Sequence, residues 1–203
     1  MRVGVLGSGK GSNMVAIADT CASGDCPYEI VTVLSDVESA GILQHARQRG
    51  LKSAFIAPGQ FRTKLDEEAE RRFIAALCDA RVDFVALAGF MRILKGEFLR
   101  VFAERVINIH PSLLPAFPGL QAWRQALDYG VKVSGCTVHF VDQGIDSGAI
   151  IAQATVPVLD GDTADTLHAR IQIAEHDLYP KALDWIARGK VKLQGRQCRV
   201  LEN

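Results

Sequence analysis

Two rhythms of apolar residues alternate along the first half of this chain. Short β-branched runs at 2–6, 29–34, 53–56, 83–88 and 105–109 predict strands. Between them, at 13–22, 39–49, 64–79 and 96–103, apolar positions recur at helical spacing. In 64–79, Leu65, Ala69, Phe73, Ala76 and Leu77 share one face while Asp66, Glu67, Glu70 and Arg71 fall on the other, and Thr63 is the expected N-cap. This alternation of strand and helix predicts an α/β fold with a doubly wound, mostly parallel sheet.

From residue 111 the texture changes. The run PSLLPAFPGLQ holds three prolines and a glycine, so it fits neither a central strand nor a mid-helix and is expected to be a surface loop. A short helix at 120–129 follows, then strands at 135–141 and 149–158 joined by the Asp- and Gly-rich turn DQGIDSG, a pair expected to run antiparallel. Residues 163–188 predict a helix with Leu167, Ile171, Ala174 and Leu178 as its buried stripe and Pro180 kinking or restarting it. The run VKLQGRQCRV suits a hairpin turning at Gly195 and Arg196. With no internal repeat, low-complexity tract or linker, one domain spanning 1–203 is expected.

Composition narrows the function classes. Lys plus Arg and Asp plus Glu both total 23, so no global field draws the chain to nucleic acid or an anionic membrane, and any anion site must be local. The 5 cysteines form no CxxC pair and suit free thiols in a reducing compartment better than a disulfide framework or a zinc site. The start MRVGVLGSGKGSN lacks a charged-then-apolar leader, and the longest apolar run, 84–91, falls far short of the roughly 20 residues of a membrane helix. A cytoplasmic chain without metal, nucleic-acid partner or membrane span is the expectation.

The segment GSGKGSN follows the first strand and opens a helix, so backbone amides of Gly9, Gly11, Ser12 and Asn13 would converge where a phosphate is stabilised by unpaired donors and the helix dipole. It is neither GxGxxG, since Ser12 stands where the third glycine belongs, nor a P-loop, since Lys10 precedes Gly11 and Ser12. A tight β-to-α turn that binds nothing is the alternative. Asp36, ending the second strand, also leaves room for a dinucleotide ribose.

In VINIHPS, Asn108 and His110 are two apart on a strand and so point the same way at its carboxyl end, the edge where open α/β sheets bind ligands. Asn offers a neutral N–H to a developing oxyanion, and His can serve as donor, acid or base near neutral pH. No GxSxG is present and no cysteine neighbours a histidine, so the pair suits acyl transfer without a covalent intermediate. Asp146, in the turn after a strand carrying Thr137 and His139 on one face, could reach the same cleft and charge-pair with His110. Pro111 and Ser112 extend this cluster. Met91 and Leu94, exposed after an apolar strand, could form a slot for a flat ring, and Gln172 and Glu175, three apart on a face distinct from the apolar stripe, could project into a cleft. His45, His168 and His176 carry no motif.

Taken together, GSGKGSN, AGFMRIL, NIHPSLLPAFPG, TVHFVDQGIDSG and RIQIAEHDLYP cover nearly the whole chain and resemble the phosphoribosylglycinamide formyltransferase family of folate-dependent enzymes. The resemblance implies the formyltransferase fold, with a nucleotide-binding half over about 1–110 and a folate and catalytic half over about 111–203. It implies formyl transfer from 10-formyltetrahydrofolate, a co-substrate, to the amine of glycinamide ribonucleotide in purine biosynthesis, by direct attack through a tetrahedral intermediate. Asn108, His110 and Asp146 match the catalytic trio, with His139 in support. Gly11, Ser12, Asn13, Pro111, Gln172 and Glu175 match the ribonucleotide site. Arg62, Met91, Arg92, Ile93 and Leu94, with Asn108 and Asp146, match the folate site, Arg62 through the folate's glutamate tail. Lys10 and Asp36 depart from the family, which carries Asn at both places, and this touches phosphate affinity rather than the chemistry.

Three rivals remain. A methionyl-tRNA formyltransferase would need an added nucleic-acid domain and a basic surface. A formyltetrahydrofolate hydrolase would carry an extra N-terminal domain and a second His in place of Pro111. A non-catalytic nucleotide-binding module would use GSGKGSN with Asp36. The expected partners are small-molecule substrates, and the chain is expected to be a monomer or homodimer.

Overall fold

The computed structural model describes residues 1–22 and 24–201. They form two compact units, Met1–Ile107 and Asn108–Asn203.

The first unit holds strands β1 (Arg2–Leu6), β2 (Glu29–Ser35), β3 (Ser53–Phe55) and β4 (Phe84–Leu87), interleaved with helices α1 (Ser12–Ala22), α2 (Gly41–Gln48), α3 (Glu67–Asp79) and α4 (Gly96–Val101). The strands lie in the order β3-β2-β1-β4, every pair parallel. Strands covered by helices on both faces must be apolar on both, and β4 is buried throughout. A side chain at Gly4 would strike Leu77 of α3 and Val82, so glycine lets α3 close onto β1. The chain winds outward from β1 both ways, so the loops after β1 and β4 meet at the carboxyl edge: the Ser8 amide donates to the Gly89 carbonyl at 3.0 Å and the Met91 amide to Ser8 Oγ at 2.8 Å.

Strand β5 (Val106–His110) runs from the first unit into the second. There α5 (Ala122–Tyr129), β6 (Val133–Phe140), β7 (Ile150–Pro157), α6 (Ala164–Ala187), β8 (Val191–Gln194) and β9 (Gln197–Val200) follow. β6 and β7 pair antiparallel, as do β8 and β9, whose two-residue loop is Gly195 and Arg196 with Gly195 at φ +59°. The α/β class, the parallel first part and the antiparallel C-terminal part are thus as the sequence predicts. The β6–β7 register slips between Val138 and His139, a bulge beside a site residue. No helix among the described residues is long and apolar enough to cross a membrane.

Three local expectations are corrected. Asp66, not Thr63, caps α3, accepting from the Ala69 amide at 2.8 Å, because Lys64 is held extended in a bridge with Ile93. α6 runs unbroken through Pro180, and its buried stripe passes through Leu167, Ile171, Glu175 and Leu178; at 100° per residue Glu175 sits one turn above Ile171, while Ala174 is only half-buried. The proline-rich segment is not simply a surface loop. Ser112 and Leu114 are buried, tied to β6 through Thr137, whose hydroxyl donates to the Ser112 carbonyl at 2.7 Å and accepts from the Leu114 amide at 3.0 Å and Gln153 Nε2 at 3.0 Å.

Candidate active site

Asn108, His110, His139 and Asp146 come together in the second unit. β5 presents Asn108 and His110 on one face, β6 supplies buried His139, and the turn after β6 delivers Asp146 in a left-handed conformation at φ +48°. His110 Nδ1 lies 3.4 Å from Asp146 Oδ2, and His139 Nε2 lies 3.7 Å from Asp146 Oδ1. The Gly119 amide donates to Asp146 Oδ2 at 2.8 Å, which ties the carboxylate to the proline-rich segment.

Neighbours set the protonation pattern. His139 Nδ1 faces the Phe140 carbonyl at 2.8 Å and can only donate to it, so in the neutral ring Nε2 carries the lone pair and accepts from Asn108 Nδ2 at 3.3 Å. Burial, more than any charge, pushes the His139 pKa below its ordinary value and favours this neutral form. Asn108 then has one N–H committed and a second to offer. His110 Nε2 likewise faces an acceptor, the Phe117 carbonyl at 2.9 Å, so its N–H is committed there while Nδ1 looks at Asp146. The expected His110 donor is therefore occupied by the loop, a contact that no side-chain pattern foretells because the acceptor is main chain.

The first unit gathers the phosphate loop and the expected folate segment. Gly11 sits at φ +85°, and a Cβ there would lie 2.6 Å from the Ile42 Cα, so only glycine lets the loop cross α2. Ser12 and Asn13 open α1, whose first-turn amides point out of the helix end. A substitution at Gly11 therefore disturbs packing on α2 before it tests anion binding, and Lys10 is exposed.

Arg92 anchors the other group: its guanidinium donates to Asp36 Oδ2 at 2.6 Å, to the Phe61 carbonyl at 2.8 Å and to the Arg62 carbonyl. Asp36 Oδ1 accepts from Ser8 Oγ at 2.5 Å. Its side chain is 1% exposed with both oxygens engaged, so it cannot hold a ribose and the dinucleotide reading loses its acid. Ser8 has no motif of its own in the sequence; its one signal is a hydroxyl between Gly7 and Gly9 directly after β1. Arg62 is exposed, Met91 is 55% exposed, Ile93 is half-buried and Leu94, expected to be exposed, is 4% exposed.

Pro111 and Gln172 are half-buried. Glu175 is buried, close enough to Cys136 on β6 for its charge to raise that thiol's pKa, though desolvation is the larger cause. The expectation that it lies off the apolar stripe is corrected. Among the described residues no group of three or more His, Cys, Asp or Glu side chains is placed to hold a metal ion.

A model of the formyl transferase family matches residues 1–183. The chain belongs to the formyl transferase family. It is 42% identical over 193 residues to the phosphoribosylglycinamide formyltransferase of Escherichia coli K12, covering 95% of this chain and 90% of that protein. It is 49% identical over 195 residues to the trifunctional purine biosynthetic protein adenosine-3 of Drosophila pseudoobscura pseudoobscura; the match takes in 94% of this chain, which spans only 14% of that protein's length. Among solved structures, glycinamide ribonucleotide transformylase 1 from Symbiobacterium toebii superposes with a TM-score of 0.95 at 46% identity, covering 100% of this chain and 94% of that one.

Proposed function

We propose that this chain transfers the formyl group of 10-formyltetrahydrofolate to the amine of glycinamide ribonucleotide, a step of purine biosynthesis, in the cytoplasm and as a single formyltransferase domain. The observation that carries the reading is the cluster itself: Asn108 with one uncommitted N–H beside His110, whose Nδ1 is 3.4 Å from Asp146. Family membership and the match over 90% of the Escherichia coli enzyme support the same substrates.

The folate supplies an activated formyl carbon, and this chain's residues do the rest. Asn108 offers its second N–H to the oxygen that gains charge as the amine attacks. His110 adds its Nε2–H when that oxygen takes the place of the Phe117 carbonyl. Asp146, held by the Gly119 amide, receives the proton lost by the amine, through water, and pairs with His110. Ser12 and Asn13 amides, with Gly11, take the ribonucleotide phosphate, as the helix N-terminus they open favours. Exposed Met91 and Phe61 offer an apolar border to a flat ring, and exposed Arg62 a cation to the glutamate tail, so the residues present fit the folate.

The decisive experiment incubates the chain with both substrates and follows tetrahydrofolate release and the fate of the formyl group. Release that depends on the ribonucleotide, with formyl recovered on its amine, is expected. Formate released without ribonucleotide would make the chain a hydrolase, and nucleotide binding without turnover would leave a binding module.

A further inference from the structure

Outside this chemistry, two thiols approach closely. Cys21 stands in the last turn of α1 and Cys26 in the connection to β2, and their sulfurs are 3.0 Å apart. Both are half-buried, and both face one acceptor, the Tyr28 carbonyl, at 3.5 Å for Cys21 and 3.1 Å for Cys26. Two thiols have two hydrogens for these three contacts, so one contact always lacks a proton. The chain after Cys26 is fixed as well, since the Met1 ammonium donates to the Pro27 carbonyl at 2.9 Å and the Glu29 amide to the Met1 carbonyl at 2.9 Å. Of the other cysteines among the described residues, Cys78 is exposed, Cys136 buried and Cys198 half-buried.

We propose that Cys21 and Cys26 are an oxidisable pair, closed to a disulfide by peroxide, which ties the end of α1 to the entrance of β2. In the first step the Cys26 sulfur attacks one peroxide oxygen, the O–O bond breaks, and Cys26 becomes a sulfenic acid while its thiol proton joins the departing hydroxide as water. In the second, the Cys21 sulfur attacks the Cys26 sulfur, the S–O bond breaks, and the thiol proton joins the departing hydroxide as water. Two thiols and one peroxide thus give one disulfide and two waters. The order follows from the surroundings: burial, and after it the neighbouring Cys26, pushes the Cys21 thiol up to about 12, so Cys21 is the poorer first nucleophile, and oxidation of Cys26 removes part of that restraint. The bond is that of a redox-responsive site and differs from the permanent disulfides of secreted chains.

Mass spectrometry of the full chain tests this. Trypsin leaves both thiols on one peptide, 11–47, and Cys78 on another. After mild peroxide and maleimide blocking, peptide 11–47 is expected two hydrogens lighter and unlabelled, whereas the Cys78 peptide gains oxygen or takes maleimide. A reductant should restore two maleimide sites, and cleavage before Asp25 should leave the two fragments joined. In Cys21→Ser, Cys26 should then stop at an oxygen adduct. Two maleimides on peptide 11–47 after Cys78 has been oxidised would overturn the proposal, as would added oxygen on 11–47 of the unaltered chain in place of the lost hydrogens.

Discussion

Two carboxylates, buried Asp36 and half-buried Asp146, face opposite fates. Asp36 has short bonds of 2.5 and 2.6 Å to Ser8 and Arg92, and its side chain is 1% exposed. Asp146 is 15% exposed, bears a left-handed backbone, and stands 3.4 and 3.7 Å from two histidines, with one firm bond to Gly119. Saturated geometry makes a strut that sets where loops lie, whereas slack geometry leaves lone pairs open to a further partner. In one fold the same side chain is therefore either saturated by its own chain, as Asp36 is, or left with lone pairs to spare, as the proposed role of Asp146 requires.

That contrast can be broken most sharply at Asp146. His110→Ala and Asp146→Asn should each lower kcat by about 10²–10⁴ with folding intact. The double variant should lose far less than the product of the singles, and steady-state kinetics on all four proteins would show it; multiplicative losses would mean independent residues. Asn108→Ala, which removes a neutral donor, should lower kcat by about 10²–10³ with little change in folate affinity.

At Asp36 the loss should appear in stability. Asp36→Ala strands the Arg92 guanidinium and should cost about 3–5 kcal/mol in urea unfolding. Asp36→Asn keeps an acceptor for Ser8 and should cost less, with kcat per folded molecule near normal in both. A kcat loss at Asp36 as large as at Asp146 would erase the distinction between the two carboxylates.

The smallest effect belongs to His139. Its folded pKa is depressed by burial, so below 6.5 the unfolded chain binds more protons than the folded one. Stability from its neutral state is complete above that pH and declines as pH falls through it. His139→Gln should flatten the decline in unfolding curves measured across that range, leaving the share of His176, whose pKa burial also lowers.

Much of this was legible in the residues. Strands β1, β4 and β5 were legible because buried parallel strands are short continuous apolar runs, and the spacing of Asn108 and His110 on β5 because residues two apart on a strand share a face; the structure does place both near Asp146. What escaped depends on main chain or on tertiary pairing. The Phe117 carbonyl on His110 and the Gly119 amide on Asp146 have no side-chain signature. Thr63 lost the cap to Asp66 because Ile93, far along the chain, holds Lys64 extended. Glu175 defeated the periodic pattern because a carboxylate occupies a turn of the apolar stripe.

The Thr137 hydroxyl carries one more consequence. Segment 111–121 has no regular structure, yet the Leu114 amide ends on that hydroxyl inside the fold. Amide hydrogens in irregular, proline-rich chain ordinarily exchange with solvent deuterons quickly, while this one can exchange only when β6 itself opens. In exchange experiments Leu114 should therefore keep time with the strand that holds it, as a member of the β6 cooperative unit.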